Sequence, residues 1–161
     1  MRGVCPDGFD VFAVRGAIMM MQVTSISEGI VLDHITSGNG LKIFSKLNLA
    51  GLDHPVVLLM NVPSQRLGRK DIIKIQNIKD IDLAMIGLVD PSTTVNVISG
   101  GKIISKHKVG IPEVVRGLFK CSNPRCVTNS DTYAEPCFRL VDAESREYAC
   151  EYCEETTRYR F

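Results

Sequence analysis

The segment CSNPRCVTNSDTYAEPCFRLVDAESREYACEYC (residues 121–153) specifies a small metal-stabilised unit. Four residues separate Cys121 from Cys126, two separate Cys150 from Cys153, and 23 lie between the two pairs. Two close pairs of thiolates that a hairpin can bring together form the donor set of a tetrahedral Zn²⁺ site. We therefore predict one zinc ion per chain, held by these four cysteines.

The predicted metal is structural rather than catalytic, because four protein thiolates leave no coordination position for water or substrate. A segment of this size rarely buries enough apolar surface to fold without such a staple. Residues 137–142, 145–150 and 156–161 have the composition of strands. Residues 111–161 are thus predicted to be a small all-β zinc-binding domain, with the lone Cys137 in its core or partly exposed.

Composition excludes several classes of partner. The 161 residues are 45% apolar, and 19 Lys and Arg balance 18 Asp and Glu, as in an ordinary globular protein. From Lys120 to Phe161 there are six basic and eight acidic residues, whereas a domain that binds a polyanion has an excess of basic residues. No apolar run approaches the roughly 18 to 20 residues that span a bilayer. We expect neither a nucleic-acid partner nor a membrane.

The first residues differ from the rest of the chain. MRGVCPDGFDVFAVRGAIMMM (residues 1–21) carries Asp7 and Asp10 where a signal peptide would be cationic or apolar. We expect residues 1–20 to be a disordered extension and the protein to be cytoplasmic. In that reducing compartment, clustered cysteines are metal ligands rather than disulfides.

Residues 21–110 are predicted to form a second domain, beginning with one long or kinked strand from Met21 in which Gly29 is a possible bulge. A helix is expected over residues 37–50, with Leu41, Phe44 and Leu47 on its apolar face and a stop at Gly51. The apolar run 55–62, bounded by prolines, favours a buried central strand, and residues 71–78 favour another.

A second helix is predicted over residues 80–89, with Asp80 as its N-cap. Residues 92–99 and 102–109 then favour two strands joined by a hairpin turn at Gly100 and Gly101. The order β, α, β, β, α, β with one added strand is that of a ferredoxin-like antiparallel sheet with two helices. The chain as a whole is therefore predicted to be α+β.

Strand periodicity places Lys70, Ile72 and Lys74 on one face of the sheet and Ile73 and Ile75 on the other. This cationic patch is either a solvated face or, with the lysines of the last strand, a phosphate site. Spacing alone leaves both interpretations open.

Asp33 and His34 are adjacent on a strand and should point to opposite faces, so they form no catalytic dyad. Hydrogen bonding to a ribose or base is the better functional interpretation. No phosphate-binding Gly-Lys loop, dinucleotide fingerprint or nucleophile elbow is present in the sequence. The sequence predicts no catalytic site.

With QVTSISEGIVLDHI, NVPSQRLGRKDIIKIQN, TVNVI, a C-x₄-C pair and CEYCE, the chain resembles the regulatory chain of aspartate carbamoyltransferase over residues 21 to about 155. The resemblance implies a non-catalytic subunit of pyrimidine biosynthesis whose allosteric domain binds nucleotide effectors, CTP and ATP with UTP as a further candidate. It also implies a zinc domain that docks onto the catalytic chain, and regulatory chains that dimerise. A zinc-containing nucleotide-sensing adaptor for another partner is the alternative.

Carried over by position, the resemblance implies a nucleotide site made of the following residues: Val23, Ser25, Ile26, Asp33, His34, Lys70, Ile72, Lys74, Asn96, Ile98, Ile103 and Lys106. The interface with the catalytic chain would use residues beside the metal ligands: Asn123, Arg125, Tyr152 and Glu154. Ile103 and Lys106 have opposite strand parity, so both can line one site only if the strand bulges between them. Thr24 and Gly101 depart from the acidic and aromatic residues that are common in the family.

Overall fold

A computed structural model describes Val23 and residues 25–159 of the chain. The expected extension over residues 1–20 lies outside the described residues, as do Met21 and Thr24. The strands are, in chain order, β1 (Gly29–Thr36), β2 (Val56–Ser64), β3 (Gly68–Gln76), β4 (Thr94–Ser99), β5 (Lys102–Lys108), β6 (Val114–Arg116), β7 (Cys137–Asp142), β8 (Glu147–Cys150) and β9 (Thr156–Arg158). The helices are α1 (Asn39–Lys46), α2 (Leu83–Val89) and α3 (Val127–Ser130). None of these helices is long and apolar enough to cross a bilayer.

The first five strands form one antiparallel sheet in the order β2-β3-β1-β4-β5. Helices α1 and α2 cover one side of it, where Ile43 and Ile86 pack against Ile30, Ile73 and Ile75. We call this the helix face and the other side the open face. The ferredoxin-like arrangement with one added strand is confirmed.

Several predicted boundaries in this sheet are wrong. β1 begins at Gly29 rather than Met21, and its bulge lies at Asp33 and His34, opposite Ile72 of β3. β2 is an edge strand of the described sheet and not a buried central one, because β3 alone pairs with it. Pro63 is compatible with that edge position, since proline lacks the N–H that a central strand would donate.

The helices are shorter than predicted. α1 ends at Lys46 and is followed by a separate 3₁₀ turn, Leu49–Gly51, and Leu41 is 53% exposed because Ile43 takes the buried position. The N-cap of α2 is Asp82 and not Asp80: its carboxylate accepts a hydrogen bond from the N–H of Met85 at 2.9 Å.

The last four strands form a second antiparallel sheet in the order β6-β7-β8-β9. Phe138 and Tyr148 are fully buried at its centre, and the ring of Phe119 stacks on Phe138 with 4.2 Å between centroids. β7 has the predicted bounds, whereas β8 begins at Glu147 and β9 ends at Arg158, so both are shorter than predicted. β6 ends before Gly117, which has a φ of +66°. Sequence patterning did not predict the single helical turn of α3.

Candidate metal centre and cationic groove

Four cysteine sulfurs converge at one end of the second sheet. The Sγ atoms of Cys121, Cys126, Cys150 and Cys153 all lie within 4.8 Å of one another. The Cys121–Cys153 separation is 3.5 Å and the Cys126–Cys150 separation is 3.8 Å. Tetrahedral Zn–S bonds of about 2.3 Å place sulfurs about 3.8 Å apart. The donor set therefore has the size that a tetrahedral metal ion requires.

The first pair of ligands is held by the loop that precedes α3. The backbone N–H of Cys126 donates to the carbonyl of Asn123 at 3.0 Å. The side-chain amide of Asn129 donates to the carbonyls of Cys121 and Asn123 at 2.9 and 2.8 Å. The hydroxyl of Thr128 lies 3.2 Å from the Cys126 sulfur. The positions of both thiols are thus fixed by the backbone rather than by the metal alone.

The second pair lies on β8 and the turn after it. The N–H of Cys150 donates to the carbonyl of Glu155 at 3.0 Å, and the N–H of Glu154 donates to the carbonyl of Cys150 at 2.9 Å. Burial raises the pKa of the Cys121 and Cys150 thiols, whereas the hydrogen bond with Thr128 lowers the pKa of Cys126. A bound cation would stabilise the thiolate form of the two buried thiols. Cys137 is buried and stands outside the cluster, as predicted.

The open face of the first sheet carries a groove of about 300 Å³. Its lining comes from the segment before β1, from the three central strands and from the β4–β5 hairpin, and consists of Ser25, Ile26, Val31, Lys74, Asn96, Ile98, Gly101 and Ile103. Six of these eight residues belong to the site predicted above. Val31 could have been predicted, because residues two apart on a strand share a face and Asp33 was already a candidate. Gly101 was named above only as a departure from the family pattern.

Two polar residues of the groove are almost fully buried. Lys74 is 5% exposed and Asn96 is 7% exposed. Oδ1 of Asn96 has no hydrogen-bond partner among the described residues. A buried acceptor without a partner costs free energy, which a bound ligand would recover. The buried lysine adds positive charge at the same place.

Lys106 lies directly opposite Asn96 in the β4–β5 pairing, and Ile103 lies opposite Ile98. Paired residues share a face, so both side chains are on the open face. The register shifts by one residue between them, at Ile104. The bulge that the parity of Ile103 and Lys106 required is therefore present.

The remaining predicted residues lie beside the groove rather than in its lining. Lys70 donates to Oδ1 of Asp33 at 2.6 Å, and the backbone N–H of His34 donates to the same oxygen at 2.7 Å. Val23 packs against Ile72 on the open face, with Leu59.

His34 has a φ of +59°, so the bulge brings its ring next to Asp33 instead of to the opposite face, and that expectation is corrected. Its Nδ1 lies 3.1 Å from Oδ2 of Asp33, but without hydrogen-bond geometry. Burial lowers the pKa of His34; Asp33 opposes this, and the cations Lys70, Arg66 and Lys106 lower it further. Arg66, on the β2–β3 turn, was missed from the sequence. Three cations, Lys70, Arg66 and Lys106, therefore act on His34 beside the groove, with Asp33 as the opposing charge.

The predicted docking residues surround the metal ligands at the surface. Tyr152 is 52% exposed, and Arg125 and Glu154 are exposed. Asn123 is half-buried, and its Oδ1 accepts a hydrogen bond from the N–H of Arg125 at 3.0 Å. These side chains are available to a partner.

Comparison with known proteins assigns both halves of the chain. Residues 21–110 match the family model described as the aspartate carbamoyltransferase regulatory chain, allosteric domain, and residues 113–160 match its metal binding domain.

Curated relatives carry the same name. The aspartate carbamoyltransferase regulatory chain of Clostridium acetobutylicum is 48% identical over 136 residues, which cover 84% of this chain and 93% of the relative. Those of Clostridium tetani and Bifidobacterium longum are 48% and 44% identical, over 95% and 99% of their lengths and 84% and 86% of this chain. The chain therefore belongs to the family of aspartate carbamoyltransferase regulatory chains, non-catalytic subunits with an allosteric domain and a metal-binding domain.

Proposed function

We propose that this regulatory chain binds nucleotide effectors such as CTP and ATP in the open-face groove and transmits their effect to catalytic chains. One observation carries the proposal: the buried Lys74 and the buried, unpartnered Oδ1 of Asn96 line the same groove. Its volume of about 300 Å³ is at the lower end of ligand sites, so part of a nucleotide would extend along the open face.

The direction of that extension follows from charge. Lys70 and Lys106 lie near His34, beside the groove, and with Lys74 of its lining they would bind the phosphates. Asp33 would contact the ribose and the backbone at Ser25 the base. Asp33 is ion-paired with Lys70 in this structure, so a phosphate competes with that carboxylate for the ammonium group.

Gly101 leaves the rim of the groove open. A Cβ placed there would meet nothing within 4 Å, so no side chain confines the base at this point. This supports a site that admits both pyrimidine and purine nucleotides, with UTP as a further candidate.

We propose that the metal is zinc, one ion per chain. The four cysteine sulfurs would hold it, and their spacing and soft donor character suit Zn²⁺. A closed Cys₄ site supplies folding free energy and no open coordination position. Elemental analysis of the purified protein should give one zinc per chain.

Two protein interfaces complete the proposal. The exposed residues beside the metal ligands would dock onto the catalytic chain, so the metal would hold the docking loops. A second regulatory chain would pair along β2, because that edge strand has no ionisable side chain and exposes Val57 and Met60 at 37% and 44%. The other edge, β5, carries Lys102, Lys106 and Lys108, which would repel a second copy of itself.

Calorimetric titration with CTP and ATP tests the nucleotide site. Lys74→Met should weaken binding at least about tenfold, because it removes a charge-assisted contact in a buried site. Lys46→Met, an exposed residue at the end of α1, is the matched control and should bind as the parent does. Equal affinities in the two variants would place the nucleotide elsewhere.

The alternative is a zinc-containing nucleotide-sensing adaptor for another partner, in the same cytoplasmic location. It predicts the same titration results but no co-purification with an aspartate carbamoyltransferase catalytic chain. The match to both family models over residues 21–110 and 113–160 favours the regulatory chain. We expect no role for nucleic acid or a membrane.

A further inference from the structure

The last turn of α2 belongs to two hydrophobic cores at once. Met85, Ile86 and Val89 are buried in the core between the first sheet and its helices. Leu88, from the same turn, is fully buried among residues of the metal-binding half, including Tyr148. A displacement of this turn therefore has to be accommodated on both sides.

Arg146 holds the end of this turn from the metal-binding half. Its guanidinium Nη1 donates to the carbonyl of Leu88 at 3.0 Å and lies 3.5 Å from that of Val89. The last carbonyls of a helix have no partner within the helix, and a cation there also meets the negative end of the helix dipole. Arg146 has a φ of +54° in the turn before β8, and its carbonyl accepts from the N–H of Tyr159 at 3.2 Å. The cap is thus anchored to β8 and β9.

Close packing prevents α2 from sliding past the linker. A Cβ at Gly87 would lie 2.3 Å from the carbonyl oxygen of Gly110 and 3.0 Å from Pro112. The hydroxyl of Tyr148 donates to the carbonyl of Pro112 at 2.9 Å. Helix, linker and β8 therefore form one packed unit.

Asp90, the residue that follows α2, connects this helix to the bulge beside the groove. Asp90 accepts hydrogen bonds from the N–H of Thr36 at 2.6 Å and from the hydroxyl of Ser92 at 2.5 Å. The same hydroxyl lies 3.3 Å from the carbonyl of His34, which follows Asp33. These contacts form a continuous chain from the Lys70–Asp33 ion pair through His34 and Ser92 to Asp90 at the end of α2.

We propose that Arg146 is a positioning residue that couples the groove to the metal-binding half by holding the C-terminal turn of α2. The inference rests on the proposed function. Nucleotide binding shifts the bulge, Asp90 passes the shift to the end of α2, and Arg146 makes the metal-binding half follow. Without the guanidinium, each half responds alone.

The test uses the complex with the catalytic chain and three variants. Arg146→Met removes the cap and keeps an apolar stem, and Arg146→Lys keeps the charge. Arg139→Met is the matched control, because Arg139 pairs with Glu151 on the surface of the same sheet. Each variant is assayed for zinc content, for CTP affinity and for the shift that CTP causes in aspartate half-saturation.

Arg146→Met should retain zinc and CTP affinity but lose at least about half of the CTP-induced shift, since coupling and binding are separate free energies. Arg146→Lys should recover part of the shift, and Arg139→Met should equal the parent. A full shift in Arg146→Met would overturn the proposal.

Hydrogen exchange gives a readout that does not depend on nucleotide. Removing the metal from the parent should speed exchange of the α2 amides, and metal-loaded Arg146→Met should already show that faster exchange. Unchanged α2 exchange in metal-loaded Arg146→Met would refute the coupling. The parent complex could instead show no CTP-induced shift in aspartate half-saturation while α2 amide exchange changes as expected. That result would refute nucleotide control by this chain and leave intact the role of Arg146 in holding α2.

Discussion

Asp90 is a residue on which three elements of the first sheet depend. It is 3% exposed, directly follows α2, and accepts hydrogen bonds from Thr36 at the end of β1 and from Ser92 before β4. Burial acts to raise the pKa of Asp90, but the hydrogen bonds from Ser92 and Thr36 outweigh it and hold the pKa below its usual value. The charged form is therefore the one that the fold stabilises.

Asp90→Asn should lower the free energy of unfolding at pH 7 by about 1–3 kcal/mol, because an amide replaces an acceptor of several hydrogen bonds. A depressed folded pKa contributes stability that is complete above the ordinary value of 3.8 and is lost as the pH falls through the folded value. The difference from the parent should therefore narrow below about pH 4. Urea unfolding measures this difference in the free energy of unfolding, and Asp53→Asn, a substitution at an exposed position, is the control. A variant as stable as Asp53→Asn at pH 7 would contradict this account of Asp90.

The start of α1 depends on a carboxylate from another element. No side chain at its N-cap, Gly38, can cap the helix, and the buried Asp71 of β3 accepts from the N–H groups of Gly38 and Gly40 at 2.9 and 3.0 Å. It also accepts from the N–H of Asn61 at 2.9 Å, so it ties α1 to β2. The helix therefore forms against the sheet rather than by its own capping.

Gly40→Ala should destabilise the protein by about 1–3 kcal/mol, although alanine usually stabilises a helix relative to glycine. A Cβ at this position would lie 2.8 Å from Oδ2 of Asp71 and 3.0 Å from Leu58. Ser45→Ala, on the exposed side of α1, is the control and should be neutral or slightly stabilising. Thermal unfolding of the two variants would decide; a stabilised Gly40→Ala protein would refute the close contact.

Element order and the metal cluster could be predicted from the sequence because each depends on local spacing. The ferredoxin-like arrangement followed from the alternation of helices and strands. The bulge at Ile104 was expected only because the family resemblance placed both Ile103 and Lys106 in one site. The orientation of α1 could not be predicted: over two turns periodicity does not fix which of Leu41 and Ile43 is buried.

Other features depended on tertiary context. Asp80 and Asp82 are the same residue type, so N-cap preference does not distinguish them. Asp82 is the N-cap because its carboxylate accepts a hydrogen bond from the backbone N–H of Met85. The edge position of β2 depends on strand order rather than on its own apolar residues. Beside the groove, the Lys70–Asp33 ion pair and the contact between Asp33 and His34 could not be predicted without the bulge in β1.

At the scale of the molecule, the metal centre should determine assembly. Stripping the metal with a chelator should unfold the second sheet and release the catalytic chains, because the docking residues lie beside the ligands. Cys126→Ser should give the same result without chelator, whereas the buried Cys137→Ser should retain metal and complex, since Cys137 is outside the cluster. Light scattering of the complex follows the release. An intact assembly without metal would show that the metal-binding half does not hold the catalytic chain.

In the function proposed here, the chain would link nucleotide binding in the open-face groove to docking of a catalytic chain on the metal-binding half. The most direct measurement is the aspartate saturation curve of the purified complex, with and without CTP or ATP, for the parent and for Lys74→Met. The parent curve should shift with each nucleotide and the variant curve should shift less at the same concentration. A parent curve that no nucleotide moves would contradict allosteric control by this chain.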